Sequence, residues 1–393
     1  MFCYLCSTTI SIYHNLTLDS IKLTQFRNYA FTSLHFHHHV NALTGMNGMG
    51  KTNVLDAIYY LCLGKSYFTS SDKNIIKQET DFFRIEASID LKERTEKVVI
   101  KSKAGSRKEI EIAGKKVERI SDHVGRFPCV IIAPDDVQMM LDGSEERRNF
   151  LNNTIVQTEM DYLEDLLLYN ALLKRRNMVL KSFSDQKRVD DLLLESISSA
   201  MYAPGQRIHE RRKLYTEQMM PVFAGIYREI SNDREKCNIR YESQLSMDSL
   251  HNLFAKNKDK DLILSRTTQG IHKDDLIFTM NDEPLRNYAS QGQLKSFVLA
   301  LKLTQYHLLQ LHTGMPPILL LDDIFDKLDP YRVHQLLAML IQKDYGQLFI
   351  TDTQPDRIIK ILQEIGTDYY NFHVDNGSVQ LVSSENTHDH APQ

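Results

Sequence analysis

The chain has 393 residues, 42% hydrophobic and 25% charged, proportions typical of a soluble globular protein with room for a large core. A formal net charge of −4 argues against a polycation that coats nucleic acid. No apolar run reaches the roughly 18 to 20 residues that span a bilayer, so no membrane partner is predicted.

The first segment, residues 1–17, is predicted to be a leader outside the folded domains. Its first sixteen residues contain neither Lys nor Arg, and no convincing cleavage site follows, so a secretory signal is not predicted. A start codon placed too far upstream or a disordered leader explains the segment equally well. Cys3 and Cys6 form a CxxC, but no second pair completes a zinc site. The odd count of five cysteines fits a reducing cytoplasm.

The N-terminal third is predicted to consist of strands around a single helix. Alternating and apolar patterns predict strands over Leu18–Phe26, Phe31–Val40, Arg84–Leu91, Lys97–Lys103, Lys108–Ile112 and Cys129–Ala133. Between the second and third strands, a Gly-rich turn precedes a helix from Lys51 to Leu63, whose apolar residues recur with helical spacing.

The middle of the chain, from Asp142 to Ile230, is predicted to form long amphipathic helices, with turns at 183–186 and at Pro204-Gly205. A second α/β pattern follows. It predicts strands over Cys237–Tyr241, Leu276–Met280, Pro316–Leu321 and Gln347–Thr351, and helices over Gly292–Leu311, Tyr331–Ile341 and Pro355–Ile365. The sequence therefore predicts an α/β domain split by a helical insertion. The predicted divisions are a first lobe at 18–141, a helical arm at 142–235, a second lobe at 236–382 and a disordered tail at 383–393.

The turn after the second strand contains a complete phosphate-binding motif, G-x-x-x-x-G-K-[ST], from Gly45 to Thr52. Its glycines allow successive N–H groups to face a phosphate, and the following helix contributes its N-terminal dipole. Lys51 is expected to reach the β- and γ-phosphates of ATP, and the Thr52 hydroxyl to be a ligand of Mg²⁺.

The apolar strand ending at Leu321 is followed by two carboxylates, Asp322 and Asp323. This pattern is typical of a Walker B strand. Asp322 is expected to hold Mg²⁺ through water, and Asp323 to polarise the water that attacks the γ-phosphate. The pattern carries weight because a P-loop is present in the same chain. Together the two motifs predict an ATPase.

Ser290-Gln291-Gly292-Gln293, at the start of a predicted helix, resembles the signature loop of ABC-type ATPases, in which one subunit closes over the γ-phosphate held by the other. Lys327-Leu328-Asp329 resembles the D-loop of these enzymes. The position of their switch histidine is occupied by Thr351 or Asp352. The order of these motifs and the helical insertion resemble the split head of SMC-like ATPases.

Within that group the chain resembles the RecF family of bacterial DNA replication and repair proteins. The resemblance rests on an ordered series of motifs: Phe26-Arg27-Asn28-Tyr29, the stretch from Thr44 to Asn53, Ala133-Pro134-Asp135-Asp136, Gly143-Ser144, Arg147-Arg148-Asn149-Phe150-Leu151, Tyr169 with Leu173-Lys174-Arg175-Arg176-Asn177, Gly270-Ile271-His272-Lys273-Asp274-Asp275, and Ser290-Gln291-Gly292-Gln293. It implies a slow, DNA-stimulated ATPase that pairs head to head around two ATP molecules and embraces gapped, single- or double-stranded DNA. It also implies that the protein acts with RecO and RecR to assist RecA loading.

The resemblance also implies roles for individual residues. The implied nucleotide contacts are Gly45, Met46, Asn47, Gly48, Met49, Gly50, Lys51, Thr52, Asn53, Ser290, Gly292 and Gln293. The implied Mg²⁺ ligands are Thr52 and Asp322, and the implied catalytic residues are Asp323, Lys51 and Gln138, the last as a Q-loop glutamine. Three positions depart from the family pattern: Asp56 replaces a Glu, Leu294 replaces a Gln, and the switch histidine is absent.

Two other functions fit an ABC-type ATPase. A transporter ATPase needs a coupling surface and no long helical insertion, so the segment 142–230 argues against it. An SMC-like ATPase attached to a nuclease needs a second carboxylate cluster, which the sequence does not provide. Two concentrations of basic residues, at 97–119 and from Arg147 to Lys213, are candidate phosphate contacts of a DNA-binding surface.

Overall fold

The structure is a computed structural model that describes residues 16–91, 94–186, 188–231, 233–325, 330–343 and 345–385. The predicted D-loop at 327–329, the pair Cys3 and Cys6, nearly all of the predicted leader and most of the predicted tail lie outside these residues. In the part of the chain that the structure describes, no helix is long and apolar enough to cross a membrane.

The strands are numbered here in chain order. They are β1 (Leu16–Phe26), β2 (Tyr29–His35), β3 (Val40–Thr44), β4 (Phe82–Leu91), β5 (Arg94–Lys103), β6 (Glu109–Ile112), β7 (Lys115–Lys116), β8 (Cys129–Ile132), β9 (Cys237–Glu242), β10 (Asp275–Met280), β11 (Glu283–Pro284), β12 (Ile318–Leu321), β13 (Leu348–Asp352), β14 (Tyr369–Asp375) and β15 (Ser378–Glu385).

The α-helices follow the same convention. They are α1 (Lys51–Leu63), α2 (Gln138–Leu141), α3 (Ser144–Ile155), α4 (Met160–Gln186), α5 (Asp191–Ser231), α6 (Leu250–Lys256), α7 (Lys258–Leu264), α8 (Leu285–Tyr288), α9 (Gln291–Thr313), α10 (Pro330–Gln342) and α11 (Pro355–Ile365).

The central sheet has the strand order β15-β14-β3-β13-β12-β8, with all neighbours parallel except β15, which runs antiparallel to β14. Strands β3, β8, β12 and β13 are buried at every position, as expected for strands covered on both faces. Because β3 and β8 come from the N-terminal part and β12 to β14 from the C-terminal part, the two ends of the chain build one sheet. The predicted split α/β architecture is confirmed.

A second, antiparallel sheet has the order β2-β1-β4-β5-β6-β7, and a small sheet joins β9, β10 and β11. Strand β4 alternates between buried and partly exposed residues, so one face packs on the core that also holds α1. Helix α1 therefore lies between the antiparallel sheet and the central sheet, directly after the phosphate-binding turn.

The long helices of the arm are α4, with 27 residues, and α5, with 41 residues. The predicted turn at Pro204-Gly205 is wrong, because α5 continues through both residues and also through Pro221. Gly205 is buried, and a Cβ there would lie 2.8 Å from Leu250 and 3.2 Å from Tyr169. The glycine therefore allows α5 to approach its neighbours closely instead of ending the helix.

Two other predictions about the elements are corrected. The strand predicted over Phe31–Val40 is two strands in different sheets, since β2 ends at His35 and β3 begins at Val40. His37, in the crossing between them, is buried, and its N–H donates to Asn41 Oδ1 at 2.7 Å. The final strand β15 pairs with β14 as far as Glu385, past the predicted start of the tail.

Candidate nucleotide-binding site

The phosphate-binding turn connects β3 to α1 at the carboxyl edge of the central sheet, and three of its glycines have positive φ angles: 144° at Gly45, 80° at Gly48 and 118° at Gly50. A Cβ at Gly45 would lie 2.3 Å from the Val374 carbonyl oxygen, whereas no atom of the described residues lies within 4 Å of a Cβ built on Gly48. The turn thus packs closely against β14 at Gly45 and is open at Gly48, its tip. Backbone N–H groups in such a turn form a concave site for anions.

The segment between β1 and β2 supports this turn from the side. Asn28 Nδ2 donates to the Met49 carbonyl at 3.0 Å, and Asn53 Nδ2 donates to Asn28 Oδ1 at 2.7 Å. The Tyr29 hydroxyl donates to the Gly50 carbonyl at 2.9 Å. Sequence reasoning singled out this segment only as a family motif and missed its role. Asn28 and Tyr29 fix the shape of the phosphate-binding turn.

Next to Asn28, Arg27 forms an ion pair with Asp56 of α1, with an Nη2–Oδ2 distance of 2.5 Å. Asp56 has no exposed surface and also accepts hydrogen bonds from the Ser66 hydroxyl and the Tyr67 N–H. Asp56, the shorter acid that departs from the family pattern, therefore has hydrogen-bond partners for both of its carboxylate oxygens. It joins the segment that supports the turn to the end of α1.

Lys51 is the first residue of α1, and its side chain lies against the turn. Its Nζ donates to the carbonyls of Gly45 at 2.7 Å and Met46 at 2.8 Å. Burial lowers the pKa of Lys51, and the carboxylates of Asp323 and Asp322 oppose this effect. The ammonium group is thus held inside the anion site, as expected of the lysine of a P-loop.

Thr52 and Asp322 are brought together although they lie 270 positions apart. The Thr52 hydroxyl lies 2.9 Å from Oδ1 and 3.1 Å from Oδ2 of Asp322. Burial raises the pKa of Asp322, while hydrogen bonds from Thr351 and Thr52 oppose the rise. A hydroxyl beside a carboxylate at the mouth of a phosphate site supplies the oxygen ligands that Mg²⁺ prefers. These residues fit a Mg²⁺ site.

Thr351, on β13, contacts both carboxylate residues of the Walker B motif. Its hydroxyl donates to Asp322 Oδ1 at 2.9 Å and accepts the N–H of Asp323 at 2.8 Å. Asp352 is engaged elsewhere, because Arg357 donates to both of its carboxylate oxygens, at 2.7 and 2.9 Å. Of the two candidates for the switch position, Thr351 is therefore the residue that contacts the Walker B acids.

The signature-like loop caps helix α9. Ser290 is the N-cap and forms a capping box with Gln293, whose side chain also donates to Glu235 at 2.9 Å. Ser290 and Gly292 are exposed. The loop is therefore presented at the surface, where another molecule can reach it.

Comparison with known proteins identifies the family. Residues 17–371 match the family model described as the RecF/RecN/SMC N terminal domain. The chain is 39% identical over 357 residues to the "DNA replication and repair protein RecF" of Flavobacterium johnsoniae. This match covers 91% of this chain and 99% of that protein. A protein of the same name from Cytophaga hutchinsonii is 38% identical and covers 92% of this chain and 96% of its own length. The chain belongs to the RecF family.

Solved structures agree with this membership. A structure of the recombination mediator protein RecF with ATP in the RecFOR pathway is 30% identical, covers 94% of this chain and 99% of its own, and has a TM-score of 0.85. The corresponding complex with ATPrS has the same TM-score at 29% identity. An Smc head domain from Pyrococcus furiosus, at 16% identity and a TM-score of 0.54, shares the fold. The predicted ABC-type, SMC-like ATPase fold is confirmed.

The RecF-family role expected for Gln138 stays a prediction. Gln138 begins α2, shortly after β8 ends beside the Walker B strand. It lines a cavity of about 1090 Å³ together with Asp135 and Asp136. Lys302 of α9 also lines this cavity and forms an ion pair with Asp136 at 3.0 Å. Gln138 therefore lies near the contact between the segment after β8 and helix α9, which follows the signature-like loop.

The basic residues expected to contact DNA differ in their burial and in their ion pairs. Arg176 and Arg212, with exposed fractions of 1% and 2%, are buried in ion pairs with Asp261 and Asp274, so their prediction as phosphate contacts is wrong. In 97–119, six of the eight basic residues form ion pairs with carboxylates. Among the described residues Lys115 is exposed and forms no ion pair, so it remains a candidate contact for DNA in this member of the RecF family.

Proposed function

We propose that this chain binds ATP with Mg²⁺ and hydrolyses it slowly to ADP and phosphate, and that ATP controls its binding to DNA. The observation that carries the proposal is the meeting of Lys51, Thr52 and Asp322 at one edge of the central sheet. Two of these residues follow β3 and the third follows β12, so the fold and not the local sequence brings them together.

The proposed chemistry assigns a task to each side chain. Lys51 and the N–H groups of the turn bind the phosphates, and Thr52 with Asp322 holds the metal ion. Bound Mg²⁺ supplies positive charge that offsets the charge on the phosphates during transfer. Asp323, directly after Asp322, polarises the attacking water. Asn28 and Tyr29 hold the turn in the shape that phosphate binding requires.

We propose further that two chains pair head to head with two ATP molecules between them. Each chain would then supply Ser290 and Gly292, and the neighbouring Gln293, to the γ-phosphate bound by the other. The exposure of Ser290 and Gly292 supports this arrangement. So does the tip of the phosphate-binding turn, where Met46 has 75% of its surface exposed. Both surfaces needed for a sandwich are accessible on the single chain.

Membership of the family supports a proposal for the biological role. Its named relatives are DNA replication and repair proteins, and a similar solved protein is a recombination mediator of the RecFOR pathway. We propose that the ATP-bound dimer of this chain embraces DNA at gaps, with contacts to single- and double-stranded regions. There it would act in the cytoplasm with RecO and RecR to assist the loading of RecA.

A binding titration tests the proposal. Fluorescence anisotropy of a labelled gapped duplex would be measured against protein concentration, with ATP and Mg²⁺ and with neither. The variant Lys51→Ala removes the phosphate-binding ammonium group. Lys343→Ala is the control, because Lys343 is a surface residue paired with Glu229 at 2.7 Å, outside the site.

The proposal expects tight DNA binding only with ATP and Mg²⁺, in the unmodified chain and in Lys343→Ala but not in Lys51→Ala. A parallel calorimetric titration with ATP separates the two parts of the proposal. DNA binding that is equal under all conditions would leave ATP binding in place and remove DNA as the ligand that ATP controls. Absence of ATP binding would overturn the whole proposal.

A further inference from the structure

We infer that Thr351 is a positioning residue that aligns the two Walker B carboxylate residues for ATP hydrolysis. The inference rests on the proposed ATPase function and adds to it a residue of β13, outside the phosphate-binding turn and the Walker B strand.

The position of Thr351 is fixed by its strand. Strand β13 lies between β3 and β12 in the central sheet, and the Thr351 side chain is fully buried. β3 leads into the phosphate-binding turn and β12 leads into Asp322. A side chain at the carboxyl end of the strand between them lies beside both halves of the site.

One hydroxyl group makes both bonds to the Walker B acids. Thr351 Oγ1 donates its single proton to Asp322 Oδ1 at 2.9 Å, and a lone pair accepts the N–H of Asp323 at 2.8 Å. These roles use different parts of the hydroxyl, so the two bonds can exist together. The carboxylate of one acid and the backbone amide of the next are therefore held by the same oxygen atom.

The backbone at Asp323 explains why such a restraint is needed. Asp323 has a φ angle of 45°, in the left-handed region that few non-glycine residues adopt. The hydrogen bond to Thr351 stabilises this conformation. Because it holds the peptide between Asp322 and Asp323, it fixes the direction in which the second carboxylate leaves the chain.

The restraint is also independent of the phosphate-binding turn. Asp322 accepts hydrogen bonds from Thr52 and from Thr351, which lie on different elements. Thr52 is the residue expected to bind Mg²⁺, whereas Thr351 belongs to β13 and contacts Asp322 and Asp323 from that strand. Threonine suits this task because its branched side chain has restricted χ1 rotation in a strand.

The test compares Thr351→Val, Thr351→Ser and Thr154→Val in the full chain. Valine keeps the shape of threonine and removes the hydroxyl, whereas serine keeps the hydroxyl. Thr154 is the matched control, because it is fully buried and its hydroxyl donates to the Phe150 carbonyl of its own helix at 3.0 Å. For each variant, kcat and KM for ATP and the Kd for ATP would be measured with Mg²⁺ present.

We expect Thr351→Val to lower kcat about 10- to 100-fold while the Kd for ATP changes less than about threefold, since small displacements of a catalytic group cost rate more than binding. Thr351→Ser should restore kcat to within about fivefold, and Thr154→Val should hydrolyse ATP like the unmodified chain. Should Thr351→Val fail to fold, Thr351→Cys, which replaces the hydroxyl by a weak donor, takes its place with the same expectation.

The outcomes separate the inference from the proposed function. If the unmodified chain does not hydrolyse ATP, the proposed function itself fails. If it hydrolyses ATP and Thr351→Val retains its kcat, the inference is overturned. A parallel loss of ATP affinity and kcat in Thr351→Val, or a serine variant as slow as the valine variant, also overturns it, because either result assigns Thr351 a role other than alignment.

Discussion

The guanidinium group of Arg212 lies 2.7 Å from the carboxylate of Asp274, and both side chains are almost fully buried, with exposed fractions of 2% and 1%. Arg212 also donates to the Ile271 carbonyl at 2.7 Å and to the Tyr162 hydroxyl at 3.1 Å. The Tyr241 hydroxyl donates to the same carboxylate at 2.5 Å. Arg212 therefore joins the arm helices α4 and α5 to the segment that leads into β10.

Replacing Arg212 with Met should destabilise the protein by about 3 to 5 kcal/mol, because Asp274 would be left as a buried charge without its partner. The free energy of unfolding from urea denaturation measures the loss. Arg207→Met is the control on the same helix, since Arg207 pairs with Asp165 but is 53% exposed, and its loss should cost about 0 to 1 kcal/mol. Equal stabilities of the two variants would contradict the structural role of Arg212.

The chemistry of the site could be predicted from the sequence because its motifs are local. The turn from Gly45 to Thr52 needs glycines and a lysine at fixed spacing, and the Walker B acids need an apolar strand before them. The ion pair of Arg212 with Asp274 has no such signal, because its partners lie 62 positions apart. From the sequence alone, Arg212 resembles any other basic residue on a helix, and a contact with DNA is predicted for it.

The errors in the predicted elements have similar causes. The alternation from Phe31 to Val40 continues across the point where the chain passes from one sheet to the other, so the pattern conceals the break. Pro204-Gly205 has the composition of a turn, but close packing against Tyr169 and Leu250 keeps it helical. In both places the tertiary arrangement, which the local pattern does not contain, differs from the element that the pattern predicts. The hydrogen bonds of Thr351 to Asp322 and Asp323 could not be predicted from the sequence either, because they depend on the order of the strands in the central sheet.

Asp323→Asn should retain ATP binding while lowering the rate of hydrolysis by about 10²- to 10⁴-fold, the contribution typical of a group that polarises or deprotonates water. Asparagine tolerates the left-handed backbone at this position, with its φ of 45°, so the fold should persist. Phosphate release and ATP affinity would be measured on the same preparation. A variant that hydrolyses ATP at the original rate would exclude Asp323 as the residue that activates water.

Gly292→Glu should abolish ATP-dependent pairing without affecting ATP binding by the single chain. In the part of the chain that the structure describes, no atom lies within 4 Å of a Cβ built on Gly292, so this part of the free chain accommodates the side chain. A glutamate in the first turn of α9 is also favourable towards the helix dipole. In the proposed dimer, however, its negative charge would face the γ-phosphate on the other chain.

Analytical ultracentrifugation with and without ATP measures this pairing. Gly143→Glu is the matched control, because Gly143 is likewise at the start of a helix and no atom of residues with a described position lies within 4 Å of a Cβ built on it. We expect the control to pair like the unmodified chain. If Gly292→Glu pairs equally well with ATP, the signature-like loop does not form the interface.

Charge reversal in the basic segment should separate Lys115 from its neighbour Lys116. Lys116 forms an ion pair with Glu109 at 2.8 Å, so part of its charge is already neutralised, whereas Lys115 is exposed and forms no ion pair among the described residues. If this surface contacts phosphates, Lys115→Glu should weaken DNA binding more than Lys116→Glu. The double variant should bind DNA most weakly, and ATP affinity should be unchanged in all three.

Because each lost phosphate contact reduces the slope of log K against log salt by about 0.9, anisotropy titrations at several salt concentrations give a second measure of the same contact. A double variant with the original affinity and salt dependence would place the DNA-binding surface elsewhere on the chain.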